Sequence, residues 1–176
     1  MLDPFATLGL EPRFNIDAQG LEQRHRELSR ALHPDRFSGA PAAERRLSLN
    51  RAIEVNDAFR LLRDPIRRAE ALLRLSNIAV GEREEPKASP ALLMDMMESR
   101  EALAEAAHDK DLQKIQALGE AMQKRQQAVL TRLGYGFEEA KDKPEALKAL
   151  VPLLGELRYI RRFLDEVSAY EEELVS

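Results

Sequence analysis

Apolar positions along this chain recur at helical spacing from one end to the other, and nowhere do they alternate as a half-buried strand would require. Residues 3–10 carry Phe5, Leu8 and Leu10 and predict a short first helix, stopped by Gly9 and Pro12. Asp17 is placed to cap a second helix running to Leu32. Within it Leu21, His25, Leu28 and Leu32 form one stripe, and Arg24, Arg26 and Arg30 lie off it. Pro34 cannot continue that helix and pushes His33 towards an extended conformation, so 33–41, with Gly39 and Pro41, reads as a loop. A third helix from Ala42 to Leu62 carries Leu49, Ala52, Ile53, Asn56, Phe59 and Leu62 and ends before Asp64-Pro65. Leu21, Leu28, Leu32, Ala52, Ile53 and Phe59 are the expected core of an antiparallel helical hairpin.

A shorter helix over 66–75 follows. Residues 76–90 hold Gly81, Pro86, Pro90 and the charge run Glu82-Arg83-Glu84-Glu85, and read as a solvated loop. Three helical patterns then remain, at 90–108, 112–133 and 144–174. The middle one carries Leu112, Ile115, Met122, Val129 and Leu133, with Gly119 and Gln126 as gaps. Gly134-Tyr135-Gly136 is the expected turn after it. The last carries Leu150, Leu154, Leu157, Leu164 and Val167, with Pro152 expected to kink or restart it. Three antiparallel helices make a bundle. The expected fold is all-α: a helical hairpin with short helices over 1–75, a connecting loop over 76–90, and a three-helix bundle over 91–176.

Composition narrows the chemistry. The 176 residues include no Cys, which excludes disulfides and thiolate ligation of zinc or an iron–sulfur cluster. His25, His33 and His108 do not cluster, so no metal site is expected, and no cofactor is expected either. No apolar run approaches the roughly 20 residues that span a bilayer. The start has neither a signal peptide nor a presequence pattern, and a reducing cytoplasm is the expected compartment. A net charge of −4 argues against nucleic acid as the main partner.

The chemistry-bearing motif is His33-Pro34-Asp35. It offers an acid–base pair but no nucleophile, no phosphate loop and no second carboxylate cluster, so no catalytic residue is expected. Pro34 instead fixes a tight turn that presents an imidazole and a carboxylate to a partner. The plain alternative is that His33 caps the preceding helix through its last carbonyls. Arg24, Arg26, Arg30 and Arg36 form a basic side next to this turn, interrupted by Glu22 and Glu27. It is either a solvated face or a surface for an acidic partner.

A second candidate lies at 92–107. On a helical wheel Leu92, Met96, Leu103 and Ala106 share the expected core face, while Leu93, Met94, Met97, Glu98, Glu101 and Glu105 fall within roughly 140° on the other side. Either the two methionines fill the bundle core, or an apolar patch rimmed by acid is exposed and binds a protein.

The His-Pro-Asp turn between two helices, followed by Val55-Asn56-Asp57-Ala58-Phe59-Arg60-Leu61-Leu62-Arg63-Asp64-Pro65, resembles the J-domain, which stimulates the ATPase of DnaK-type chaperones. The whole chain resembles the HscB family of J-type co-chaperones of iron–sulfur cluster assembly. The resemblance is carried by Phe5-Ala6-Thr7-Leu8-Gly9-Leu10, Leu32-His33-Pro34-Asp35-Arg36-Phe37, Arg68-Ala69-Glu70-Ala71-Leu72-Leu73 and Leu92-Leu93-Met94-Asp95-Met96-Met97-Glu98-Ser99-Arg100-Glu101. It implies two modules arranged as an L. The His33-Pro34-Asp35 turn with Arg24, Arg26, Arg30 and Arg36 would meet an HscA-type chaperone ATPase. Leu93, Met94, Met97, Glu98, Glu101, Glu105 and Tyr159 would hold the scaffold protein IscU. Met97 stands where Leu is common in the family, and Tyr159 where Phe can occur. The implied protein is a monomeric, non-enzymatic co-chaperone of a bacterial cytoplasm. The rivals are a general J-protein holding unfolded chains on its methionines, an enzyme using His33 and Asp35, and a helical adaptor whose His-Pro-Asp is incidental.

Overall fold

In the computed structural model, which describes residues 3–81, 89–141 and 143–175, every regular element is helical. Two compact units divide the chain, Met1–Ala79 and Val80–Ser176.

In the first unit, α1 (Pro4–Leu8), α2 (Ala18–Ala31), α3 (Ala42–Arg63) and α4 (Pro65–Leu75) start largely where polar caps permit. Asp3 accepts from the Phe5 amide, Asp17 from those of Gln19 and Gly20, and Asp64 from those of Ile66 and Arg67, each supplying a first turn with a partner it lacks internally. α1 and α4 both pack on α3 beside α2. That arrangement moves the hairpin core. α3 buries Ser48, Val55, Ala58 and Leu62. Leu28, Leu32, Ala52 and Phe59 are only half-buried. Ile53, expected in the core, is 50% exposed, as is its neighbour one turn back, Leu49, at 53%. A helix flanked on one side by three others turns its buried arc to their common centre, and the Leu49–Ile53 ridge falls outside it.

Polar contacts fix the edges of this unit. Arg24 Nε donates to Leu8 O at 2.9 Å and ties α1 to α2. Arg68 Nη1 donates to Leu62 O at 2.8 Å, with its guanidinium 5.0 Å above the Phe14 ring. Burial pulls the pKa of Arg68 below the usual guanidinium value, although Asp64 opposes this. Asn77, at φ 59°, closes α4 in the left-handed conformation, with the Ile78 amide donating to Leu73 O at 2.9 Å. Ile78 and Val80 are buried, so the start of the expected solvated loop is part of the packing. Residues 82–88 of that loop lie outside the described residues.

The second unit consists of α5 (Pro90–His108), α6 (Leu112–Ala140), α7 (Pro144–Lys148) and α8 (Val151–Val175). Its core runs through Leu103, Ala106, Ile115, Met122, Val129, Leu133, Leu154, Leu157, Ile160, Phe163 and Val167. Gly119, a gap in the sequence pattern, is where α8 comes close: a Cβ there would lie 3.0 Å from Val167 Cγ1. The expected turn at Gly134-Tyr135-Gly136 is absent. α6 continues to Ala140 and ends at Lys141, φ 40°. Gly136 serves packing instead, since a Cβ there would collide with Leu150 Cδ2. The pattern over 144–174 is two helices. Pro152 occupies the first turn of α8, where its missing amide hydrogen costs nothing, so it restarts the helix.

Candidate functional site

The first candidate is the turn after α2. Ser48 Oγ, buried in α3, donates to Leu32 O at 3.1 Å and anchors the turn's entry. His33 is extended (φ −61°, ψ 133°), as the residue before proline should be. Pro34–Phe37 then form one turn of 3₁₀ helix inside what reads from sequence as a plain loop. His33 caps this following turn, not the preceding helix: its Nδ1 accepts from the Asp35 amide at 3.3 Å. Its backbone oxygen accepts from the Arg36 amide at 3.0 Å. An Nδ1 that accepts leaves the proton of a neutral ring on Nε2, available to a partner. The Asp35 carboxylate lies 3.5 Å from the same Nδ1 and is 90% exposed. Pro34 thus presents one donor and one acceptor on a short stiff turn.

The four arginines beside it are not equivalent. Arg24 is held by Leu8 O and lies 3.5 Å from Glu27. Arg26 lies 3.9 Å from Glu22. Arg30 and Arg36 are exposed and have no acidic partner among the described residues.

The second candidate is α5. Ser89 caps it, accepting from the Leu92 amide at 3.2 Å. Leu103 and Ala106 are buried, and Leu92 and Met96 half-buried. On the opposite side Leu93, Met94 and Met97 are 47%, 62% and 63% exposed, so the methionines do not fill the core. Glu98, Glu101 and Glu105 are exposed along the same side. Lys114 donates to Glu105 at 2.7 Å. This bond holds the Glu105 carboxyl below the usual carboxylate range and pushes the Lys114 ammonium up. The arrangement is a flexible apolar strip with an acidic rim, suited to a partner with an apolar centre and basic margin. Among the described residues no cluster of His, Asp or Glu could hold a metal, and no helix is long and apolar enough to cross a membrane.

Comparison with known proteins bears on both candidates. Residues 88–168 match the family model of the HSCB C-terminal oligomerisation domain. The chain is 36% identical to the co-chaperone protein HscB homolog of Bordetella avium, over 96% of this chain and 97% of that protein. The chain belongs to the HscB co-chaperone family. A Shewanella HscB homolog is 33% identical over 97% of this chain and 98% of its own length. The fold superposes on the chaperone HscB of Vibrio cholerae with a TM-score of 0.85 at 28% identity, covering 98% of this chain and 99% of that one.

For this HscB-family chain the structure brings most of the suspected α5 residues to one exposed strip, but not Tyr159. Tyr159 is 4% exposed, and its hydroxyl donates to Met96 O at 2.8 Å from behind α5. Burial pushes its pKa up. Residues that sequence reasoning passed over sit at the same place. Arg125 on α6 donates to Asp95 on α5 and, through Nε at 2.8 Å, to Glu156 on α8. Burial works against its charge, but the hydrogen bonds to Asp95 and Glu156 outweigh it and raise the pKa. Arg100 pairs with Glu166 on α8 and is raised by that bond. These partners stand 30 to 66 residues apart in the chain, so no local pattern announces them.

Proposed function

We propose that this co-chaperone stimulates the ATPase of an HscA-type chaperone through the His33-Pro34-Asp35 turn. In this reading it also delivers an IscU-type scaffold protein, held on the exposed face of α5, and so aids iron–sulfur cluster transfer. The observation that carries the reading is the α5 strip: three large apolar side chains left in solvent within a carboxylate rim, on a helix whose other face is buried. A protein with no use for that strip would gain by burying or replacing it. The turn supports the first half of the reading, because its side chains are exposed while its backbone is tied to α3. Arg30 and Arg36 supply unpaired positive charge for an acidic partner.

In this reading the protein catalyses no reaction and works as a monomer in a bacterial cytoplasm. Its effect comes from holding scaffold and ATPase together, which raises the effective concentration of one for the other. The deciding experiment is the steady-state ATPase rate of an HscA-type chaperone with this protein, with and without an IscU-type scaffold. Stimulation that rises further with scaffold is expected. No stimulation by the protein rejects the first half. An equal response to unfolded polypeptide rejects the second and favours a general J-protein.

A further inference from the structure

The two halves of α5 are held in different ways. The first buried residue of the helix is Leu103; from Pro90 to Ala102 every side chain is half-buried or exposed. Full apolar burial is therefore confined to the C-terminal half, at Leu103 and Ala106 with 1% and 0% exposure, while Leu92 and Met96 in the N-terminal half are only half-buried. The N-terminal half carries Leu93, Met94 and Met97, and polar links add to its partial packing. Arg125 spans from Asp95 to Glu156, with the Glu156 contact at 2.8 Å. Tyr159 reaches from α8 to Met96 O at 2.8 Å. Arg100 pairs with Glu166. Asp95 lies between Met94 and Met97 in sequence, and Met96 next to Met97, so Arg125 holds a side chain and Tyr159 a backbone carbonyl within the strip itself. A guanidinium shared by two carboxylates fixes orientation as well as distance, which an apolar contact does not.

We infer that Arg125 and Tyr159 are positioning residues for the α5 docking strip: they set the placement of its N-terminal half without touching the partner. The inference rests on the docking reading above. It also gives Tyr159 a different role from the contact role that the family resemblance implies.

The test uses the full-length chain carrying Arg125→Met, Tyr159→Phe or Arg125→Lys. Residue-resolved amide exchange and calorimetric titration with a purified IscU-type scaffold are read together. In the first two variants amides of residues 92–100 should exchange faster, while those of 103–108 and of α6 keep their rates. Scaffold affinity should fall by roughly threefold to thirtyfold, the range in which residues that touch neither ligand shift a coupling. Arg125→Lys keeps a cation near both carboxylates and should recover part of the loss.

Unchanged exchange at 92–100 overturns the inference. So does acceleration spread evenly over α5, α6 and α8, which marks an ordinary fold-stabilising role. Met94→Ala with Met97→Ala separates the two levels. Wild-type affinity in Arg125→Met beside a weakened methionine variant removes the positioning role alone. Wild-type affinity in both removes the docking reading and the inference with it.

Discussion

At the scale of single residues, exposure decides what a substitution reports. His33 caps one short turn and is otherwise in solvent, with its side chain 58% exposed. His33→Gln should abolish stimulation of the chaperone ATPase and shift stability by no more than about 0.5 kcal/mol. An ATPase assay and a thermal melt on the same preparation check both halves. Persistent stimulation would show that the imidazole is not the contact. The arginines divide in the same way. Arg30→Glu with Arg36→Glu should weaken coupling to the ATPase, and the wild-type coupling should fade as salt rises, because exposed charges are screened over roughly 8 Å at physiological ionic strength. Arg24→Ala should instead lower the melting temperature, since it leaves Leu8 O without its donor. Salt-independent coupling that survives the double reversal would return Arg30 and Arg36 to plain solvation.

At the scale of elements, α5 makes the contrast sharpest. Met94→Ala with Met97→Ala should leave the melting temperature close to wild type, because both side chains are mostly in water. Scaffold binding should weaken by about 1–2 kcal/mol or more if the strip is a central anchor. Leu103→Ala, two turns on and on the other face, should cost about 2–5 kcal/mol of stability by opening a cavity. Calorimetric titration and melts of the three variants give the comparison. A large melting-temperature loss in the methionine variant would mean that the strip is packed in solution. Elements also show how far the sequence carried. The start of α2 was legible at Asp17, because a cap is a local bond between a side chain and amides two or three residues on. The end of α6 was not. Two glycines around Tyr135 read as a turn, but Leu150, in the link between α7 and α8, packs there and Gly136 makes room for it inside a continuous helix.

For the molecule as a whole, charge is divided between the two units. Residues 1–79 contain thirteen arginines and no lysine against eleven acidic residues, a net of +2; residues 80–176 carry the remaining −6. The unit with the His-Pro-Asp turn is therefore suited to an acidic partner and the unit with the α5 strip to a basic one. If the protein acts by joining two partners, the methionine double variant should keep its own stimulation of the ATPase and lose only the increment that scaffold adds. Rate measurements at fixed chaperone over a scaffold titration show this directly. Loss of both responses together would mean that the two units are not functionally separable.

Short-range chemistry made four features legible in the chain: the all-helical class, the capped start of α2, the extended residue before Pro34, and the opposed faces of α5, whose exposed side matches the helical wheel. Family resemblance added meaning to those residues, and the homologues bear that membership out. Tertiary structure alone decided which apolar residues are buried, because burial depends on how many neighbours a helix acquires. It sent Ile53 to the surface and Tyr159 to the interior. It alone also brought Arg125 between Asp95 and Glu156, since the energy of an ion pair depends on distance through space and the chain gives no local sign of a partner 30 residues away.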